Sequence, residues 1–255
     1  MVRVRDGQCL HFSFLPISMR ITYTLTLMVL GLGYLFAMIH TFSSHAGRDG
    51  NPMLSVNDLI IAYSGSKAET RLVNAIKGPM APMLPQNEAA ALMAWIARGA
   101  ERGEFDTKIN PIIEKRCLRC HDGTNPHILD LRGFAKVLET TEVDTGMDIV
   151  TLVRVSHIHL FGLTFIFFIV STIFCHSYVK YCWLKALIIS IPFLSIAADI
   201  ASWYLTKIYA EFAWVVFISG GFMGMCFLIE WLVSIYQMWF YKLPPELEDG
   251  TTQIG

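Results

Sequence analysis

Apolar residues fill four stretches of the chain almost without interruption, at residues 21–42, about 150–178, 183–206 and 212–240. A helix needs about 20 apolar residues to cross a bilayer, and each stretch reaches that length. A helix in a soluble core would carry a polar face, whereas these stretches are apolar nearly all round. The pattern therefore predicts four transmembrane helices.

The polar chain between the first two stretches alternates between short helical patterns and breakers. Ser55 is a helix N-cap, Asp58 completes a capping box, and Gly65 ends the same helix. "GPMAPMLPQ", 78–86, cannot be regular helix because it holds three prolines. Asn87 caps the next helix, and a polar link, "ERGEFD", follows it. We predict helices at 54–65, 67–78, 87–100, 107–121 and 129–139.

These patterns predict an all-α fold, a small helical domain plus a four-helix transmembrane bundle. The chain then divides into a cytoplasmic N-terminus, a first transmembrane helix, an external domain, three further helices and a cytoplasmic tail. The boundaries are 1–20, 21–42, 43–149, 150–240 and 241–255.

Charges flanking the stretches set the expected orientation. Arg3, Arg5 and Arg20 precede the first stretch, and Lys180 lies in the loop after the second. Because cytoplasmic loops carry the excess of Lys and Arg, residues 43–149 are expected in the periplasm of a bacterial inner-membrane protein. The first stretch exceeds the length of a signal-peptide core, so we interpret it as a retained anchor rather than a cleaved leader.

The composition narrows the range of partners. The chain has 255 residues, 54% of them hydrophobic, and a formal net charge of −1. We expect contact with membrane lipid and no nucleic acid, since no DNA-binding or nucleotide-binding motif is present. Four of the six cysteines lie outside any motif and are interpreted as small hydrophobic residues; they are Cys9, Cys175, Cys182 and Cys226.

The sequence "RCLRCHDG", 116–123, contains the CxxCH signature of covalent haem attachment. Cys117 and Cys120 would form thioethers with the haem vinyl groups, and His121 would be the proximal iron ligand. The motif lies in the external segment, where bacterial c-type haem is attached. It predicts one covalent haem c.

"GPMAPMLPQNEAAALMAWIARGA", 78–100, resembles the end of a class I cytochrome c, and "INPIIEKRCLRCH", 109–121, resembles its beginning. The resemblance covers about residues 54–135 and implies a Met sixth ligand, Met80 in preference to Met83. The two halves are in reversed order, which a circular permutation joined through "ERGEFD" would explain because domain termini often lie close together. Alternatively, 43–100 is a first cytochrome domain that lost its CxxCH, and the sixth ligand lies downstream.

"RVSHIHLFG", 154–162, places further candidates where the second stretch begins. His157 and His159 point to different helix faces, so each would serve a separate purpose. Each is an alternative distal ligand of haem c, a ligand of a second haem b or metal ion, or a hydrogen-bond partner of a quinone. The competing interpretation is an interfacial histidine hydrogen-bonded to a neighbouring helix. Arg154 shares a face with His157 and would meet a haem propionate. His127 is interpreted as a surface histidine.

Intramembrane acids are functional hypotheses by default, and the stretches hold Asp199 and Glu230. Asp199 with Glu211, His40 and His157 would form a polar pocket able to accept protons from a quinol. The competing interpretation is helix–helix hydrogen bonding.

The sequence thus predicts a membrane-bound monohaem cytochrome that transfers single electrons. It would work within a respiratory or oxidoreductase complex, with other subunits and a soluble periplasmic carrier as partners. The alternatives are a quinol-oxidising cytochrome and a non-catalytic haem sensor or assembly subunit.

Overall fold

A computed structural model describes residues 10–66, 69–126 and 128–242. The described chain is all-helical and contains no strand. The helices are α1 (Ile17–His45), α2 (Val56–Ser64), α3 (Arg71–Lys77), α4 (Gln86–Ala97), α5 (residues 102–117), α6 (Phe134–Glu139), α7 (Ile149–Phe174), α8 (Cys182–Thr206) and α9 (Ala213–Trp239). Several of the sequence expectations concern residues outside the described ranges, namely His127, residues 1–9 and residues 243–255.

Among the described residues, four helices are long and apolar enough to cross a membrane, as predicted. They are α1, α7, α8, and α9 together with the short turn Ala210–Phe212 before it. The first is longer than predicted because it begins at Ile17 and continues to His45.

The described chain forms two compact units. The first comprises residues 10–39, 150–204 and 214–242, and the second comprises 40–149 and 205–213. The second unit thus combines the segment between the first two spans with the short connection between α8 and α9.

In the first unit, apolar side chains from all four spans share one core, with Leu27, Phe167, Ile196 and Phe227 among its buried members. The Trp231 indole of α9 lies across α1 and donates to the Leu27 carbonyl at 2.7 Å. A Cβ at Gly31 would lie 2.9 Å from that indole nitrogen, so glycine permits the close approach.

From residue 10 onward, the segment before α1 contains a short turn that the sequence did not predict. Residues Phe12–Phe14 form a 3₁₀ turn, and the side chains of His11 and Phe12 are fully buried. The sequence does not predict this turn, because a single turn is too short to show a hydrophobic periodicity.

The second unit is built on the packing of α4 against α5. Leu92 and Trp95 of α4 share a buried core with Phe105, Ile109 and Ile113 of α5. The Trp95 and Phe105 ring centroids are 5.7 Å apart, and the Trp95 indole donates to the Glu101 carbonyl at 3.0 Å. Burial of Phe105 explains why α5 begins at residue 102 and not at 107.

Helix α5 is irregular along most of its length. Its π-helical pieces, Phe105–Ile109 and Ile113–Cys117, flank the short α-helical piece Asn110–Ile112. Pro111 lies between them, and a proline lacks the N–H that an α-helical turn would use.

The predicted ends of two helices, α2 and α4, differ in how well they agree with the structure. Ser55 and Asp58 form the predicted capping box, and Gly65 ends α2 with a φ of 79°. The predicted cap at Asn87 is wrong, because Pro85 occupies the N-cap position and α4 begins at Gln86.

Two backbone segments, residues 63–66 and residues 143–147, cross in close contact. Hydrogen bonds next to this crossing hold the two segments together. The Met147 N–H donates to the Ala62 carbonyl, and the Asp144 N–H donates to the Glu69 carbonyl. A Cβ at Gly65 would collide with the Asp144 carbonyl, and both Gly65 and Gly146 have positive φ. Glycine is therefore required on both sides of the crossing.

Candidate functional site

The CxxCH motif occupies the turn that ends α5. The Cys120 and His121 N–H groups both donate to the Cys117 carbonyl, at 3.1 Å and 2.9 Å. Residues three apart on a helical turn lie on one side of it, so the two thiols share a side. Cys117 is half-buried and Cys120 is exposed, and both are free thiols.

The His121 ring is held by the backbone beyond the motif. Its Nδ1 lies 2.7 Å from the Leu129 carbonyl oxygen, which can only accept a hydrogen bond. Nδ1 therefore carries the proton of the neutral ring, and Nε2 is left with a lone pair, the form in which imidazole binds a metal. This arrangement fits the donor set of covalent haem, two neighbouring thiols followed at once by an imidazole.

The loop after His121 folds back onto it. The Leu131 N–H donates to the His121 carbonyl at 3.0 Å, and the Leu131 side chain is buried in the core of the second unit. Asp130 accepts from the Arg132 guanidinium and from the Lys136 ammonium. These interactions hold the pKa of Asp130 well below its usual range, so the loop keeps an ionised anchor.

Met80 is the N-cap of a 3₁₀ turn, Ala81–Met83, and Met83 is the last residue of that turn. The turn is fixed at its start, where the Met80 N–H donates to the Ala75 carbonyl at 2.9 Å. Met80 is 38% exposed and Met83 is 72% exposed, so neither is a core methionine. Leu84, the next residue, packs against the same core as Cys117 and Leu118.

An ion pair ties the methionine turn to the motif. The Arg116 guanidinium contacts both carboxylate oxygens of Glu88, at 2.7 Å and 3.1 Å. Glu88 lies in the first turn of α4, five residues after Met83, and Arg116 directly precedes Cys117. Five residues span at most about 18 Å, which limits how far the Met83 backbone lies from that ion pair.

Two ionisable groups next to the motif are perturbed. The hydrogen bond from Arg116 holds the pKa of Glu88 below its usual range. Burial, with a smaller contribution from the Glu88 charge, raises the pKa of the Cys117 thiol. Cys117 is therefore a protonated thiol at neutral pH.

The two histidines of α7 have different neighbours. His157 and His159 are both exposed in the absence of lipid. The His159 ring packs edge-on against the Trp203 ring of α8, with centroids 5.1 Å apart, and its Nδ1 donates to the Val155 carbonyl at 2.9 Å. His159, and not His157, is the histidine that contacts the third span.

Trp203 extends that contact to a buried acid. Its indole nitrogen donates to Asp199 at 3.3 Å, and Asp199 is 7% exposed. The sequence reasoning did not include Trp203, since one tryptophan in an apolar span carries no signal of its own. One turn away, the Ser156 and Tyr204 hydroxyl groups also join α7 to α8, at 3.0 Å.

The remaining candidates are distributed over both units. His40 and Glu211 belong to the second compact unit, whereas Asp199, His157 and Arg154 belong to the first. Arg154 lies on α7, one turn before His157 and Ile158, and is half-buried. The four-residue polar pocket stays a prediction. Within the described ranges, no group of three or more His, Cys, Asp or Glu side chains is arranged to hold a metal ion.

Comparison with known proteins addresses the membrane part of the chain. The family model Aq_1264_TM, described as a transmembrane helical domain, matches residues 140–245, which include α7, α8 and α9. The searches of curated proteins and of solved structures gave no match. The matched domain and the four apolar helices together identify the chain as a membrane protein with four candidate spans.

Proposed function

We propose that this protein is a membrane-bound c-type cytochrome that transfers single electrons. One haem c is attached through Cys117 and Cys120, and His121 is its proximal ligand. The observation that carries the proposal is the hydrogen bond from His121 Nδ1 to the Leu129 carbonyl, because it leaves Nε2 as the ligand atom of the histidine that follows the two cysteines in the chain.

Each residue of the motif has one task in this proposal. The two thiols hold the ring covalently, and the Leu129 carbonyl fixes the tautomer and orientation of His121. When bound, the haem supplies a one-electron iron couple. The protein tunes that couple through the distal ligand and through burial of the ring.

Met80 is the favoured distal ligand, with Met83 as its alternative. Both methionine residues are exposed, and the ion pair between Glu88 and Arg116 brings the helix that follows them to the end of α5. A thioether ligand raises the reduction potential relative to a second histidine.

A circularly permuted class I cytochrome domain accounts for the reversed order of the two halves. In this proposal α4 and α5 correspond to the last and first helices of the ordinary domain, which pack together. The support is the shared core of Leu92, Trp95, Ile109 and Ile113, and the short connection at residues 98–101.

We further propose that the protein faces the periplasm of a bacterial inner membrane and works within a larger redox complex. Four spans exceed what an anchor needs, since one helix suffices for insertion. Helix α1 buries only Leu27 among its described side chains, which leaves most of its surface to lipid or to another subunit.

Haem staining of denaturing gels tests the attachment directly. Wild-type protein from a host that matures c-type cytochromes is compared with the double variant C117S/C120S, and with C182S as a control at an exposed cysteine. We expect stain in the wild type and in C182S, and none in the double variant. Equal stain in all three, or none in the wild type, would exclude covalent attachment at this motif.

A second candidate function is quinol oxidation at the contact between α7 and α8. It is favoured by the His159, Trp203 and Asp199 arrangement, in which an exposed imidazole packs against an indole that donates to a buried carboxyl. Such groups could accept the two protons of a quinol. Its two electrons would leave singly through a bound haem c, which a soluble periplasmic carrier would have to reoxidise between them.

Quinol-dependent haem reduction in membranes separates the two functions. We expect H159A and D199N to slow reduction if the site is real, whereas H157A, the neighbouring histidine without the tryptophan contact, keeps the wild-type rate. Equal rates in all variants would exclude quinol oxidation at this contact, and electron transfer by haem c would be the one proposed function that stands.

A further inference from the structure

The carboxyl group of Glu230 is buried at one end of a polar column inside the first unit. Its side chain is fully buried, and both carboxyl oxygens lie close to the Ser171 hydroxyl oxygen, at 3.1 Å and 3.0 Å. Among the described residues, no Lys, Arg or His forms an ion pair with it. The proposed electron-transfer function makes no use of this group.

The hydrogen-bonding pattern favours the protonated acid. A hydroxyl group carries one proton and an ionised carboxylate carries none, so Ser171 with an ionised Glu230 has one proton for two short contacts. A protonated Glu230 donates through one oxygen and accepts through the other. An unpaired charge in a hydrocarbon interior is also strongly disfavoured. Cys226 on α9 is a titratable neighbour of Glu230, and Tyr34 on α1 lies near Cys226 in turn. Thiol and phenol groups are ordinarily uncharged at neutral pH.

Polar side chains continue from Glu230 along one face of α9. Ser234 and Gln237 follow at the helical spacings of one and two turns. The Ser234 hydroxyl is fully buried and has no hydrogen-bond partner among the described residues. A water molecule between Glu230 and Gln237 would satisfy it, as buried waters satisfy such groups elsewhere.

At the far end of the column, Gln237 meets the segment before α1. Its Oε1 accepts from His11 Nε2 at 3.2 Å and from the Tyr178 N–H at 2.6 Å. His11 Nδ1 accepts from the Ser13 N–H at 3.1 Å, so Nε2 carries the ring proton. Lys185, His176 and Arg20 are the charged or titratable groups near His11.

The same helix face is apolar on the other side of Glu230. Phe227 and Met223 come next toward the start of α9, and both are buried in the core with Phe167 and Val170 of α7. Ser219, the next buried polar residue on that side, lies beyond this apolar layer. Along this face of α9, the described side chains next to Glu230 are therefore polar toward the end of the helix and apolar toward its start, where Tyr34 of α1 stacks on Phe227.

We propose that Glu230 is a proton-binding site that exchanges with one side of the membrane, through Ser234 and Gln237, at the end of the bundle that holds His11. One proton passes between water and the carboxylate, and no electron is involved. The charge pattern of the loops predicts that this end faces the cytoplasm. The site would supply protons from that side to a reaction within the bundle or a partner subunit.

Infrared spectroscopy of the full chain in lipid bilayers tests the site. E230Q assigns the carboxylic-acid C=O band in a wild-type-minus-variant difference spectrum at neutral pH. Transfer into D₂O then gives the rate at which the acid proton exchanges, from the isotope shift of that band. S171A checks the assignment, since loss of its hydrogen bond should raise the band frequency.

S234A and S219A form a matched pair of buried serines on one helix face. We expect S234A to slow the exchange several-fold and S219A to leave it unchanged. Absence of a Glu230 acid band, an unchanged rate in S234A, or equal slowing in S219A would overturn the proposal. The readout does not depend on haem, so its failure leaves the proposed electron-transfer function standing.

Discussion

Arg116 and Glu88 form a two-point ion pair between the last turn of α5 and the first turn of α4, with N···O distances of 2.7 Å and 3.1 Å. The planar guanidinium matches the carboxylate in this geometry, which fixes orientation as well as distance. The pair connects the helix that ends in Cys117 to the helix that follows the methionine turn. It therefore holds together the two segments that the haem proposal needs.

The first prediction concerns the pH dependence of this ion pair. Because the folded-state pKa of Glu88 is lowered, its contribution to stability is present above the ordinary glutamate pKa of about 4.3 and is lost as pH falls through the lower folded-state value. E88Q should lower the Tm by about 1–4 °C at pH 7. The difference from wild type should disappear in acid.

Thermal unfolding between acid and neutral pH checks this expectation, with E139Q as the control at an exposed glutamate. A Tm difference for E88Q that persists unchanged at the acid end would contradict the assignment.

The second prediction separates the two methionines. M80A should lower the haem reduction potential, since the thioether ligand raises it, and should change the visible spectrum of the ferric protein. M83A, which alters a methionine on the same turn, should change neither. Redox titration checks both, and the reverse pattern would identify Met83 as the ligand. If neither variant shifts the potential, the distal ligand lies elsewhere and the assignment of the methionine turn to the haem site is wrong.

The third prediction concerns the core that joins α4 to α5. Leu92 is fully buried, and L92A should cost about 2–5 kcal/mol, whereas L138A at an exposed position should cost less than about 0.5 kcal/mol. Limited proteolysis of the protein in membranes measures the difference, because cleavage of a transiently opened domain follows its stability. Equal cleavage rates for the two variants would contradict the packing of α4 on α5.

The fourth prediction concerns Lys207, in the connection between α8 and α9. Its ammonium donates to the carbonyls of Tyr63, Thr145 and Met147 at 2.9 Å, 3.0 Å and 2.8 Å. Hydrogen bonds to a charged group are worth about 1.5–3 kcal/mol, so K207M should loosen the crossing of residues 63–66 and 143–147.

Amide hydrogen exchange across that crossing measures the effect. K207M should speed exchange at Met147, whose N–H donates to Ala62, and K115M should not. Unchanged protection in K207M would show that the three carbonyls are held by the glycine crossing alone.

Much of the architecture could be predicted because its signals are local. The four spans follow from uninterrupted apolar length, and the Ser55 and Asp58 capping box follows from spacing within one turn. The start of α5 at residue 102 was missed because Phe105 stands alone in a polar link, and only its burial against Trp95 extends the helix.

The partners within the candidate sites depended on packing that no sequence pattern shows. The spacing of His157 and His159 placed them on different helix faces but did not show which face contacts α8. The structure shows that it is the face of His159, which packs against Trp203. Lys207 was not singled out from sequence, because its three carbonyl partners, Tyr63, Thr145 and Met147, lie far away along the chain. The hydrogen bond between His121 and the Leu129 carbonyl could not be predicted from sequence, because it depends on how the loop between the two residues folds.

The pyridine haemochrome spectrum of the purified protein, with haem counted per chain, tests the central claim most directly. The account predicts one haem c per chain, attached at Cys117 and Cys120 and lost in C117S/C120S. An additional haem b would move His157 and His159 into an electron path through the membrane. A protein that matures without any covalent haem would contradict the account, and Cys117, Cys120 and His121 would then need another function.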